Sequence, residues 1–294
     1  MGHEQAIAAL GLPGLPEPLP RPVIDSHTHL DATQAASGLS VADNLAAARA
    51  VGVDRVVQIG CDLADSAWAE ALAAREPAVV ACVALHPNEA ARLADDVLDE
   101  GLGRIEALAS AGPHVRGIGE TGLDYYRTRE AAARARQRRS FAAHIGLAAR
   151  YGLTLAVHDR DAHADILAVW DERVAHGERP PRVIMHCFSG DGAFARACLE
   201  RGAWLSFPGV LTYKNAPLLR EALAVTPPDR ALVETDAPYL SPMPHRGRWN
   251  APYLVPHTVR FMAAERGVGV ADLCDRLTAN AEAAYGGPWG PGVA

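Results

Sequence analysis

The chain has 294 residues, 49% of them hydrophobic, and a formal net charge of −7. That acidic balance excludes a coat-like binder of duplex nucleic acid, which needs a basic face, but leaves room for an enzyme that grips a few phosphates locally. Five cysteines without a CxxC spacing exclude a disulfide framework or zinc ribbon and point to a reducing compartment, and no apolar run approaches the ~18 residues of a membrane span.

Residues 1–21 are interrupted by Gly11-Leu12-Pro13-Gly14-Leu15-Pro16 and read as an extended Pro/Gly-rich tail. They lack the basic start and unbroken apolar stretch of a signal peptide, so a cytoplasmic location is expected. Residues 22–294 read as one domain. Short apolar, β-branched runs at 23–30, 55–60, 79–86, 115–123, 153–158, 182–187, 203–207 and 231–235 alternate with Ala-rich helical stretches. The helical segment after the first run opens at Ser40, a good N-cap, and closes at Gly52; the segment 129–150 closes at Gly152 in the same way. Helices are expected over 255–266 and 271–285, with a frayed Gly/Pro-rich end from Gly286. Eight strands, each followed by a helix, predict an α/β (β/α)8 TIM barrel. A doubly wound sheet fits less well: no GxGxxG follows the first strand, where Asp25-Ser26-His27-Thr28-His29 stands instead.

With 12 histidines in the chain, an HxH triplet arises by chance about 0.5 times, so His27-x-His29 alone says little. Its position says more. It closes the first strand, where barrel enzymes place their chemistry, and alternate strand residues share a side, so both imidazoles can clasp one ion. The fourth strand ends in Gly119-Glu120-Thr121-Gly122-Leu123-Asp124, the fifth in His158, the sixth in His186 and the eighth in Glu234-Thr235-Asp236. Four histidines with at least two carboxylates at strand ends call for cations, because buried carboxylates are otherwise costly. Such a set is too large for one four-coordinate zinc and suits two divalent ions; imidazole with carboxylate favours Zn, Mn, Co or Ni over Mg, although availability can override affinity. The single lysine, Lys214, follows the seventh strand, so a bridge between ions would have to be a carboxylate such as Glu120.

Asp25-Ser26-His27-Thr28-His29-Leu30, Gly119-Glu120-Thr121-Gly122-Leu123-Asp124-Tyr125-Tyr126, His158-Asp159-Arg160-Asp161-Ala162, His186-Cys187-Phe188-Ser189-Gly190 and Glu234-Thr235-Asp236-Ala237-Pro238-Tyr239-Leu240 occur here in order. In these segments the chain closely resembles the TatD-related metal-dependent deoxyribonucleases, a branch of the amidohydrolase-like barrels, from Val23 to about Tyr285. The resemblance implies that His27, His29, Glu120 and Asp236 hold one metal, and that His158 and His186, with Glu120 bridging, hold the second. Two departures stand out. Position 121 is Thr where the family commonly has Ile, and Arg248-Trp249-Asn250-Ala251-Pro252 replaces a common Arg-Asn-Glu-Pro in a loop that borders the site.

Metal-assisted hydrolysis of a DNA phosphodiester is therefore expected, exonucleolytic on single strands or strand ends. Two divalent ions (Mg, Mn or Zn) would generate a bridging hydroxide, with Asp236 moving its proton. His86 (in His86-Pro87), Arg160 and Lys214 are candidate contacts to phosphate, and Trp249 could stack on a base. Arg127 and Arg129 are lesser nucleic-acid candidates; the other arginines of the 127–139 run should face solvent. Cys187 has no base patterned for it and is not read as a nucleophile. No membrane and no obligatory protein partner are expected. An ester or amide hydrolase acting on a small molecule or an aminoacyl-tRNA is the competing reading, since fold does not decide function.

Overall fold

A computed structural model describes residues 2–290. Its strands are β1 (Val23–Thr28), β2 (Val53–Ile59), β3 (Val79–Val83), β4 (Val115–Asp124), β5 (Thr154–Arg160), β6 (Arg182–Met185), β7 (Trp204–Phe207) and β8 (Ala231–Val233). They form one sheet in the order β1 to β8, with helices in the intervening segments. Pairing is parallel, and Thr28 at the end of β1 bridges Ala237 just past β8. This is the (β/α)8 barrel fold class. All residues of β1 and β3 are buried, as parallel strands covered on both faces must be; β3 accordingly reads as a continuous apolar run, whereas β1 is apolar only at Val23 and Ile24 and then buries Asp25, Ser26, His27 and Thr28.

Two compact units divide the chain. The first comprises the segments up to Gln58, Gly190–Arg196 and Leu205–Glu282. Ile24, Val56, Val57, Leu205, Phe207 and Leu232 are among its most buried residues. Ser40 caps the helix Val41–Ala50 by accepting the Asp43 N–H at 3.1 Å, and Gly52 follows at φ 87°, a left-handed turn that spares a side chain. The N-terminal segment departs from the expected extended tail. His3–Ala9 is helical, with Ala6 and Ile7 buried, because Glu4, Ala6, Ile7 and Ala8 are compatible with a helix before Gly11, at φ 63°, breaks it. The Pro-rich stretch after it is extended but tied down: Tyr253 donates to the Pro13 carbonyl, Arg260 to those of Glu17 and Pro18, and the Leu19 N–H to Val51.

Among the described residues the second unit comprises Ile59–Ser189, Ala197–Trp204 and residues 283–290. β4 and β5 lie close: a Cβ on Gly122, at φ 135°, would stand 2.0 Å from the His158 carbonyl oxygen, so only glycine fits beside that residue. The helix Ala131–Tyr151 ends on Gly152 as expected. Its arginines are less solvent-directed than the sequence suggests. Arg134 covers the Tyr125 ring at 4.2 Å, Arg136 donates to the Ala91 carbonyl, and Arg138 and Arg139 reach Asp165 and Asp95. The expected fraying from Gly286 is also corrected over residues 286–290. Arg116 donates to the carbonyls of Tyr285, Gly287 and Pro288 and lies 5.5 Å from the centre of the buried Trp289 ring. The rest of that expected frayed end, residues 291–294, lies outside the described residues. No helix among the described residues is long and apolar enough to cross a membrane.

Candidate metal centre

In the first unit His27 and His29 lie on one side of the β1 end because one residue, Thr28, separates them. Their rings meet edge to face at 5.2 Å between centres. Asp236, three residues past β8, directs Oδ1 at both: 3.4 Å from His29 Nε2 and 3.9 Å from His27 Nε2. These ligand-type atoms all lie within 4.8 Å of one another, a spacing one cation can span. The cluster is fixed from behind by backbone. The Asp236 N–H donates to the His27 carbonyl at 2.9 Å, and the His29 N–H to Ala237 at 3.0 Å. Asp236 itself sits at φ 54°, a left-handed conformation that aspartate tolerates better than most residues.

Asp25 is the anchor of this arrangement. Fully buried, its Oδ1 accepts the N–H groups of Thr235 (2.9 Å) and His27 (3.3 Å), and its Oδ2 accepts the Thr235 hydroxyl at 2.6 Å. One carboxylate thus ties the end of β1 to the segment that carries Asp236. Burial pushes its pKa up to about 7 against these hydrogen bonds, which lower it.

In the second unit the cluster centres on Glu120, which is 4% exposed. Glu120 Oε1 lies 2.6 Å from His158 Nδ1, 2.9 Å from His186 Nε2 and 3.4 Å from His86 Nε2. The Cys61 thiol donates to Oε2 at 3.9 Å. Burial opposes ionisation of Glu120, yet the His186 and His86 imidazoles and the hydrogen bonds from His158 and His186 hold its carboxyl well below the usual range. Burial likewise opposes a charged His158, but Asp124 and Glu120 override it and raise its pKa to about 9. Asp124 Oδ2 stands 3.6 Å from His158 Nε2, and Asp124 is itself held by the Asn88 amide and the Arg127 N–H. A carboxylate behind an imidazole that offers its other nitrogen forward is how proteins orient metal-binding histidines.

The four side chains of this cluster do not offer the same thing. His86 Nδ1 accepts the Asn88 N–H at 3.1 Å, which places the ring's proton on Nε2. His86 therefore presents an N–H donor where His158 and His186 can present lone pairs. Imidazole and carboxylate in both clusters form a donor set suited to divalent transition metals, and a cation can take the place of the proton that balances Glu120 and Asp124.

Comparison with known proteins agrees with this chemistry. Residues 24–286 match the family described as TatD related DNase. The chain belongs to that family. It is 41% identical over 270 residues to the metal-dependent hydrolase TatD of Mycobacterium tuberculosis, covering 91% of this chain and 99% of the relative. It is 38% identical over 225 residues to the 3'-5' ssDNA/RNA exonuclease TatD of Cronobacter turicensis, covering 74% and 81%. Among solved structures it is similar to YjjV, a TatD homologue of Escherichia coli K12, with a TM-score of 0.80 at 24% identity over 90% of this chain and 98% of that one. The chain is thus a TatD-family member of a metal-dependent hydrolase type.

In this TatD-family chain His27, His29 and Asp236 meet in one unit, and Glu120, His158 and His186, with His86, in the other. Arg160 ends β5 with its guanidinium over the Tyr126 ring at 4.1 Å, and Lys214 is exposed. Sequence reasoning passed over Asp25, Asp124 and His144. The first two stand inside quoted motifs. His144, seven residues before the end of its helix, is fully buried, accepts the Leu85 N–H at Nε2 (3.3 Å) and meets Thr121 Oγ1 at Nδ1 (2.9 Å). It thereby joins the residue before His86 to the residue after Glu120. The Thr at position 121, a departure from the common pattern, has its partner here.

Proposed function

We propose that the chain is a divalent-cation-dependent phosphodiesterase that hydrolyses DNA exonucleolytically, on single strands or strand ends. The observation that carries this reading is the pair of imidazole–carboxylate clusters at strand ends in a chain whose relatives include enzymes named as 3'-5' ssDNA/RNA exonucleases. One cation would be held by His27, His29 and Asp236 and a second by Glu120, His158 and His186. When bound, such cations lower the pKa of water and offset phosphate charge.

The remaining work falls to the chain itself. Asp236, held by its backbone bond to His27, accepts the proton of the attacking water at a carboxylate oxygen and returns it to the leaving oxygen. The His86 Nε2–H donates to a non-bridging phosphate oxygen, and this role follows from the tautomer that Asn88 fixes. Arg160 and Lys214 are exposed and contribute, if the strand extends to them, charge alone.

The test is cleavage of end-labelled single-stranded DNA with Mg²⁺, Mn²⁺ or Zn²⁺, beside Glu120→Ala and Asp236→Asn. Laddering from one end that both substitutions abolish is the expected result. Intact DNA in every metal, with turnover of an acyl ester or amide, would overturn the phosphodiesterase reading in favour of the ester/amide hydrolase. Metal analysis of purified Glu120→Ala should show fewer bound equivalents than wild type.

A further inference from the structure

In the first unit the chain after β8 folds beside Tyr213 and encloses a pocket of about 640 Å³ that none of the ligand residues lines. That volume is within the range of small-molecule sites. Tyr239 connects the pocket to the first cluster: its ring centre is 6.5 Å from that of His29, and its N–H donates to the Asp236 carbonyl. Two of the lining residues, Tyr239 and Trp249, are large aromatics left 56% and 48% exposed. Two others are arginines. The Arg246 guanidinium covers the Tyr213 ring at 4.5 Å, and Arg248 donates to the Gly11 carbonyl. Among the described residues neither arginine has a carboxylate partner, and no acidic residue lines the pocket, in a chain of net charge −7.

Exposed aromatic faces beside cations without counter-ions are the elements that bind single-stranded nucleic acid. We propose that this pocket is a nucleotide subsite. Trp249 and Tyr239 stack one base, Arg246 and Arg248 hold its phosphate, and the strand continues from there toward His29. The proposal rests on the nuclease reading above and adds the place where the strand is gripped. It also predicts how the grip selects. Two polar side chains of the loop are already engaged: Ser241 Oγ with the Arg248 carbonyl, and Asn250 Nδ2 with the carbonyls of Thr235 (2.9 Å) and Tyr239 (2.6 Å). They stiffen the loop, and the base is held by stacking, which every base offers, so the subsite accepts any base.

The test compares KM and kcat for 5′-labelled dT10 and dA10 in Mn²⁺ for wild type, Trp249→Ala, Trp249→Phe and Arg246→Gln/Arg248→Gln. Trp249→Ala should raise KM on the order of tenfold for both oligonucleotides, and Trp249→Phe should recover most of that loss. The double arginine variant should flatten the dependence of log(1/KM) on log[salt] by about 0.7 for each phosphate contact removed. Circular dichroism confirms that each variant is folded. An active wild type whose KM is unmoved by Trp249→Ala overturns the subsite and leaves the nuclease reading standing. A Trp249→Ala loss that phenylalanine does not rescue, with an unchanged salt slope in the double variant, also overturns it and assigns Trp249 to loop packing. A wild type that turns over no oligonucleotide in any metal overturns both.

Discussion

The two ligand clusters are built from the same residue types but balance their charge differently. Around Asp236 the imidazole nitrogens stand at 3.4 and 3.9 Å, and the residues are placed by backbone hydrogen bonds and by a buried carboxylate, Asp25. Around Glu120 the contacts close to 2.6 and 2.9 Å, and the residue joining the strands behind them is a buried imidazole, His144. Burial drives both anchors toward neutrality, Asp25 up to about 7 and His144 down to about 4. One cluster is thus positioned chiefly from the main chain, whereas the other is a side-chain network in which every member depends on the protonation of its neighbours.

The largest effect should come from breaking the first cluster at its proton carrier. Asp236→Asn keeps the shape and the backbone bond to His27 but removes the basic oxygen, so turnover should fall about 10²–10⁴-fold. Circular dichroism should remain native. The check is the initial rate on end-labelled single-stranded DNA at saturating metal, and a rate within a few-fold of wild type would remove Asp236 from the proton path.

The anchor of the second network should reveal itself in stability. His144 has an ordinary pKa of 6.5 and is lowered to about 4 by burial. Protonation would also forfeit the bond that Nε2 accepts from Leu85. The unfolded chain therefore binds this proton more readily, and the contribution of His144 is complete above pH 6.5 and lost as pH falls toward 4. His144→Gln keeps an acceptor and a donor without a titration, so it should flatten the decline between pH 7.5 and 5 by about 2 kcal/mol. Urea midpoints at pH 7.5 and 5, compared between variant and wild type, measure this difference. His158 acts in the other window: raised to about 9, it supports stability fully below 6.5 and loses that contribution as pH rises through 9.

How much of this could be read from the sequence depends on how far apart the cooperating residues lie. All eight strands were legible, because each carries a short apolar, β-branched stretch between helical segments even where, as in β1, β4 and β5, it ends in polar residues, and the ligand-type residues were legible because they sit at those ends. The helix His3–Ala9 was hidden by the Pro-rich segment beside it, whose composition dominates a local reading. The packed end at Trp289 depends on Arg116, far away in the chain. The tautomer of His86 is set by a backbone N–H two residues on, and the link from Thr121 to His144 joins a strand to a helix; neither leaves a spacing pattern. The pocket beside Tyr239 gathers Tyr213 and Trp249 from separate loops, so only Trp249 drew notice, and only as an isolated ring.

Asp124 tests whether the second cluster needs its outer carboxylate. Asp124→Asn keeps one acceptor oxygen, for the Arg127 N–H, but puts an amide NH2 in place of the oxygen that accepts from Asn88 and faces His158, and it loses the charge that orients His158. Metal affinity should drop roughly 10–100-fold, the range for losing such a partner, and isothermal titration with Mn²⁺ or Zn²⁺ reads it directly. Equal affinity in the variant would show that His158 is oriented by Glu120 alone.

The smallest expected effect separates the two units by their helix caps. Ser40 caps Val41–Ala50 through the Asp43 N–H, and Asp62 caps Leu63–Ala73 through the Asp65 N–H at 2.9 Å. Either cap replaced by alanine should cost about 1 kcal/mol, seen as a lower urea midpoint with an unchanged slope. Their consequences should then diverge. Asp62 follows Cys61, whose thiol reaches Glu120, so loosening that helix start loosens one contact of the second cluster and should weaken metal affinity as well. Ser40 bonds only within the start of its own helix, through Asp43 and Asn44, and its loss should leave metal affinity at the wild-type value. If Asp62→Ala lowers stability and leaves affinity untouched, the Cys61 contact is incidental, and the side-chain network around Glu120 ends at its histidines.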